Sequence, residues 1–151
     1  MSKAMEISVK DVIGVYSLLD AAKMGELSGK AQIKLVKIVR KLKDIVKPYE
    51  GYVKDAADKL KGEKHDEYAK MLEEWKAQGQ DCKLTKKERM QVLEYFNGYN
   101  SKLDESLRDE FEKSHQIEFD KLSEEEFEQL LEGNAWSANQ IITIEDLIKT
   151  A

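Results

Sequence analysis

The feature of this sequence that most restricts its fold is an apolar pattern that keeps helical phase from residue 35 to residue 60. With Leu35 at heptad position a, positions a, d and e hold eleven apolar residues: Leu35, Ile38, Val39, Leu42, Ile45, Val46, Tyr49, Tyr52, Val53, Ala56 and Leu60. Charged residues such as Lys37 and Lys54 fall on the opposite side. An apolar face of this width is typical of a helix that covers a globular core, because a coiled-coil seam is narrower.

Pro48 lies inside this pattern. A proline removes one backbone hydrogen bond and costs about 3 kcal/mol in the interior of a free helix. Because the apolar phase continues beyond Pro48, we predict one long helix over about residues 30–61, kinked at the proline. At 1.5 Å per residue it would be about 48 Å long. A break at Pro48 is the alternative.

Two short segments alternate apolar and polar residues, "MEISV" at 5–9 and "QIEFDKL" at 116–122. A lone strand is not stable, so we predict that 5–9 pairs with 116–121 as a small two-stranded β ribbon. Further helices are marked by Ser8 and by capping boxes at Thr85, Ser123 and Ser137. Asn97-Gly98 indicates either a kink or a break in the helix that Thr85 opens.

Length and composition set the class. The chain has 151 residues, of which 41% are hydrophobic and 36% charged, with one proline and one cysteine. We therefore predict a mainly α protein with a single helical domain over 1–151, built around the long helix. Cys82 alone excludes an internal disulfide. No apolar run approaches the roughly 20 residues that span a bilayer, and "MSKAMEISVK" lacks a hydrophobic signal segment, so we expect a cytoplasmic protein.

Charge is distributed unevenly along the chain. The net charge is −5, but residues 30–61 hold ten Lys or Arg against four acids, and residues 104–132 hold twelve acids against three bases. Opposite charges of this size attract, although each exposed pair contributes only about 0–1 kcal/mol. We predict that the basic and acidic segments lie near each other, within one chain or across a dimer.

Candidates for catalysis or metal binding are weak. Glu112 and His115 are spaced to share a helix face, but a di-iron bundle needs this motif twice, and the residue three before His65 is Gly62. Neither a Gly-rich phosphate loop nor a nucleophile motif is present. We therefore expect no enzyme activity, no catalytic residues, no metal and no cofactor.

The basic face of residues 30–47 offers one binding hypothesis. Its cations could contact phosphates of a nucleic acid, with these candidate residues: Lys34, Lys37, Arg40, Lys41, Lys43 and Lys47. Nucleic-acid binders usually carry a basic domain charge, however, and this chain is acidic. A membrane-surface helix would place Trp or Phe at its apolar edge, and this helix has neither. We expect no membrane association and rank nucleic acid second.

Apolar residues outside the main stripe offer the other hypothesis. Ile33 and Val36 lie off the stripe, while Tyr99 and Trp136 lie beside break or loop signals. Any one of them could simply pack against a neighbouring helix. Together they are our candidate partner contacts, and we predict a non-catalytic protein–protein interaction protein. A homo-oligomer is left open, and a nucleic-acid-associated protein is the alternative.

The order of elements adds a resemblance. A short N-terminal strand, a helix, the long charged helix, a helical middle and a second strand precede "KLSEEEFEQLL" and a small last helix. This order, together with charge and length, resembles a family of small phage- and prophage-encoded proteins without an assigned function. The resemblance covers most of the chain. It implies a phage gene product, such as an assembly factor, a virion component or an inhibitor of a host protein, in the bacterial cytoplasm or in the virion.

Overall fold

The chain folds mainly as α-helices, which confirms the predicted fold class. The computed structural model describes residues 4–150, so residues 1–3 and 151, at the ends of the predicted domain, lie outside the described residues. In chain order the elements are β1 (Met5–Ser8), α1 (Val9–Leu19), α2 (Gly29–Leu60), α3 (His65–Gln78), α4 (Lys86–Glu112), β2 (Ser114–Ile117), α5 (Glu124–Glu132) and α6 (Ala138–Ile148).

The chain divides into two compact units. The first unit contains Met1–Glu50 and Glu110–Ala151, and the second contains Gly51–Asp109. The domain organisation that we expected, one domain over 1–151, stays a prediction. Each unit is described by itself below.

Helix α2 runs for 32 residues and continues through Pro48, so the predicted long helix is confirmed and the break is not found. Its buried residues in the first unit are Ala31, Leu35, Ile38, Leu42 and Val46. The rest of the apolar face is less buried than the pattern indicated: Ile45 is half-buried, and Tyr52 is 40% exposed. The Tyr52 hydroxyl donates to the Ser106 carbonyl at 3.3 Å, which explains why this ring lies at the surface of the second unit.

The core of the first unit forms around the buried stripe of α2. It is completed by side chains from α1, α5, α6 and the segments beside them: Val12, Val15, Leu19, Leu27, Ile117, Phe119, Leu122, Phe127, Leu130, Ile144, Leu147 and Ile148. Full burial of one such aliphatic or aromatic side chain stabilises the fold by about 1.5–3 kcal/mol. The stripe on α2 therefore organises this unit.

The predicted helix N-termini are confirmed. The Ser8 side chain accepts a hydrogen bond from Asp11 N, and Ser123 and Ser137 form complete capping boxes. Thr85 does the same with Glu88, through two hydrogen bonds of 3.1 Å. Helix α4 continues through Asn97-Gly98 without a break.

The predicted ribbon is confirmed with different bounds. β1 pairs with β2 in antiparallel register, from Met5 opposite Ile117 to Ser8 opposite Ser114. The second strand therefore covers 114–117 and not 116–121. Because Ser8 caps α1, β1 ends there, and one further backbone hydrogen bond, from Val9 N to Lys113 O, follows the ribbon. Phe119 is buried from the loop that follows β2.

The second unit contains a group of aromatic rings between α3 and α4. His65 lies with its ring centroid 4.8–5.7 Å from those of Tyr95, Phe96 and Tyr99. The Tyr95 hydroxyl is 2.6 Å from His65 Nδ1 and accepts a hydrogen bond from Gly62 N. These contacts give the ring group a packing role.

Replacing Leu42 with alanine tests the buried stripe. Leu42 is fully buried, so Leu42→Ala should lower the free energy of unfolding by about 2–5 kcal/mol. The neighbouring Lys43 is exposed, and Lys43→Ala should change it by no more than about 0.5 kcal/mol. Urea denaturation followed by circular dichroism measures both. Similar losses for the two variants would contradict the observed facing of α2.

Candidate functional site

A shallow groove follows the exposed side of α2 in the first unit. Two depressions of about 380 and 410 Å³ form it, and they share Lys37 and Asp120. We call it the α2 groove and define it by its lining residues: Lys30, Ile33, Lys34, Lys37, Arg40, Lys41 and Asp44 of α2, with Phe119 and Asp120 from the loop after β2. The α2 residues recur at intervals of three and four, so one face of the helix supplies them.

One cation of this groove is paired. Lys34 Nζ lies 2.8 Å from Glu126 Oε1, and both side chains are largely buried. This pair joins the basic and acidic segments within the first unit and confirms that they lie near each other. The hydrogen bond from Lys34 and a second one from the Ser123 backbone lower the pKa of the Glu126 carboxyl.

The other cations of the groove remain available. Lys30, Lys37, Arg40 and Lys41 are exposed, and within residues 4–150 none of them forms an ion pair or side-chain hydrogen bond. The groove thus has five cations against three carboxylates, if Glu126 is counted with Asp44 and Asp120. Its excess charge is positive, although the whole chain is acidic.

The four predicted partner contacts have different environments. Ile33 is 59% exposed and lines the α2 groove between Lys30 and Lys37. Val36 is half-buried beside a smaller cavity of about 230 Å³ on another side of α2. Trp136 packs against the core of the first unit.

Tyr99 belongs to the second unit, where its hydroxyl donates to the Ala57 carbonyl at 3.1 Å. Of the four residues, Ile33 is thus the one whose side chain is mostly open to solvent. Its side chain is exposed among cations of the same helix face, so we take it as the anchor of the candidate site.

The six predicted nucleic-acid contacts are also divided. Four of them, Lys34, Lys37, Arg40 and Lys41, line the α2 groove. Lys43 instead lines the smaller cavity beside Val36, and Lys47 lies 3.5 Å from Glu50. The continuous basic surface on residues 30–47 therefore includes four of the six residues that the sequence indicated.

Glu112 and His115 do not form the helical metal motif that their spacing suggested. Glu112 is the last residue of α4, whereas His115 lies in β2, so the two do not share a helix face. Among residues 4–150, no group of three His, Cys, Asp or Glu side chains is arranged to hold a metal ion. In the same range, no helix is both long and apolar enough to cross a membrane.

Some groove residues were missed by the sequence analysis. Phe119 and Asp120 form the side of the groove that faces α2, but the sequence placed them within a strand. Lys30 was counted as a charge and not as a contact. In the structure β2 ends at Ile117, so Phe119 and Asp120 lie in the loop that follows it.

Comparison of the chain with protein-family models, curated proteins and solved structures finds no match.

The Lys34–Glu126 pair predicts a pH-dependent part of the stability. The lowered pKa of Glu126 means that its stabilising effect is fully present above its ordinary value of 4.5 and is lost as pH falls through the lower, folded-state pKa. Glu126→Gln should therefore destabilise the protein at neutral pH, and the difference from wild type should shrink in acid. Urea denaturation over a series of pH values measures this.

A matched control is Glu125→Gln, one residue away in the same helical turn. Glu125 is exposed and makes no ion pair within residues 4–150. Its variant should differ little from wild type at any pH. If both variants show the same pH dependence, the pair with Lys34 is not its source.

Proposed function

We propose that this protein is a non-catalytic binding protein that holds an acidic segment of another protein in the α2 groove. The observation that carries the proposal is the placement of Ile33, an exposed apolar side chain among cations of the same helix face. An apolar anchor surrounded by charge is typical of the centre and rim of protein–protein contacts.

The charge of the groove defines the partner. Lys30, Lys37, Arg40 and Lys41 have no carboxylate partner within residues 4–150, so an incoming Glu or Asp would not have to break an existing pair. Complementary charge mainly raises the rate of association and excludes wrong partners. Burial of an apolar side chain against Ile33, which is 59% exposed, would supply affinity that is independent of salt.

The alternative, a nucleic-acid-associated protein, uses the same cations. Two features favour a protein partner. Nucleic-acid binders usually carry a basic domain charge, whereas the net charge of this chain is −5. The exposed Ile33 gives the groove an apolar contact, which a phosphate backbone does not use. A phage-encoded origin and the cellular location stay predictions from the resemblance described above.

A binding assay with peptides tests the proposal. The probe is a fluorescent peptide of repeating Glu-Glu-Leu, and a repeating Gln-Gln-Leu peptide is the neutral control. Wild type should bind the acidic peptide, and Lys37→Glu combined with Arg40→Glu should weaken binding at least about tenfold, a loss of about 1.4 kcal/mol. Ile33→Ala should weaken binding while leaving the melting temperature unchanged. Fluorescence anisotropy at low salt measures the peptide affinities of wild type and of the two variants. Thermal denaturation followed by circular dichroism measures the melting temperature.

The matched control for charge reversal is Lys54→Glu, an exposed lysine of α2 that does not line the groove. It should bind the acidic peptide as wild type does. Equal binding by wild type and the double variant would contradict the proposal. Tight, salt-sensitive binding of duplex DNA that the double variant loses would replace it with the nucleic-acid alternative.

A further inference from the structure

A second groove, of about 680 Å³, lies beside β1 in the first unit. We call it the β1 edge groove, and three elements form it: β1 (Met5, Glu6 and Ile7), α1 (Lys10, Asp11, Gly14 and Val15) and α6 (Ile142, Thr143, Asp146 and Leu147). Side chains of successive strand residues point to opposite faces. A groove that touches three successive residues of β1 therefore follows the edge of the strand and not one of its faces.

The hydrogen bonds of the ribbon show which backbone groups face this edge. Val9 N donates to Lys113 O at 2.9 Å, in the same register as the pairs of Ile7 with His115 and of Met5 with Ile117. Bonded and non-bonded pairs alternate along an antiparallel ladder, so Met5 and Ile7 bond to β2. The N–H and C=O of Glu6 then point away from β2. Within residues 4–150, no other group is bonded to them.

An unpaired strand edge is a template for another strand, and proteins often protect such edges with short strands and charges. β1 is short and carries Glu6, so protection alone could explain its polarity. It does not explain Ile142, which lines the same groove and is 61% exposed. Gly14 also lines the groove, and an added Cβ there would lie 3.9 Å from Thr143 Cγ2.

The charges of the groove select its occupant. Glu6, Asp11 and Asp146 oppose a single cation, Lys10, and none of the four forms an ion pair within residues 4–150. A second copy of the chain, joined edge to edge at β1, would bring two Glu6 side chains together and is disfavoured. A basic segment fits the same surface.

We propose that the β1 edge groove binds an extended basic segment of another protein, which pairs with β1 as a third strand. The Glu6 N–H donates to a carbonyl of this segment, and the Glu6 carbonyl accepts from one of its N–H groups. Apolar side chains of the segment pack against Ile142, which is 61% exposed, and its cations lie near Asp11 and Asp146. This surface is independent of the α2 groove, which has the opposite charge.

The test uses a peptide of alternating Val and Lys, with alternating Val and Glu as the control peptide. Amide hydrogen exchange of wild type, with and without peptide, measures the exchange rate of the Glu6 N–H directly. At ten times the Kd of the Val-Lys peptide, exchange of this amide should slow about elevenfold, because only the free fraction exchanges. The Val-Glu peptide should not slow it.

Two variants separate the backbone bond from the charge. Glu6→Pro removes the outward N–H while the Met5 and Ile7 bonds to β2 remain, a position where strands tolerate proline. It should bind the Val-Lys peptide about five- to tenfold more weakly than Glu6→Gln, which keeps the N–H and loses the same charge. Glu125→Gln, which loses the same charge outside this groove, should bind as wild type does.

Three outcomes overturn the proposal. The first is an unchanged rate of Glu6 amide exchange at saturating peptide. The second is equal peptide binding by Glu6→Pro and Glu6→Gln. The third is protection of Glu6 that rises with protein concentration in the absence of peptide, which would assign the edge to a second copy of the chain. The exchange measurement needs only wild-type protein, so the proposal remains testable if Glu6→Pro does not fold.

Discussion

The first unit depends on the burial of one stripe of helix α2. Ala31, Leu35, Ile38, Leu42 and Val46 recur at the spacing of a single helix face, and the apolar sides of α1, α5 and α6 pack around them. Because this stripe faces the core, Pro48 lies on the solvent side of α2, and this position explains why the helix continues through it. The proline is exposed, and so is Asp44, whose carbonyl loses its partner when residue 48 lacks an N–H. Water can satisfy that carbonyl, so the proline does not have to break the helix.

Local signals allowed much of this fold to be predicted. Ser8, Thr85, Ser123 and Ser137 each mark a helix start through hydrogen bonds that span three residues, and such bonds depend little on the rest of the chain. The bounds of the ribbon were wrong because two signals competed at residues 8 and 9. The apolar alternation extended the strand to Val9, whereas the cap at Ser8 made Val9 the first residue of α1.

The distribution of charge could be predicted only in outline. Composition predicted that the basic and acidic segments would lie near each other, but it could not select Glu126 as the partner of Lys34. That choice follows from the capping box of α5, because the carboxylate that accepts from Ser123 N also accepts from Lys34. Within residues 4–150, Lys37 and Arg40 form no ion pair, so the α2 groove combines one paired cation, Lys34, with unpaired ones.

The β1 edge groove had no signal in the sequence, for a physical reason. Its principal binding groups are the backbone N–H and C=O of Glu6, and side-chain patterns do not report which backbone groups are paired. Its apolar side comes from Ile142, more than 130 residues away in the chain. The two grooves carry opposite charge, so a segment that suits one is repelled by the other. In our two proposals, Ile33 and Ile142 give each groove an apolar contact, and the surrounding charges decide which segment reaches it.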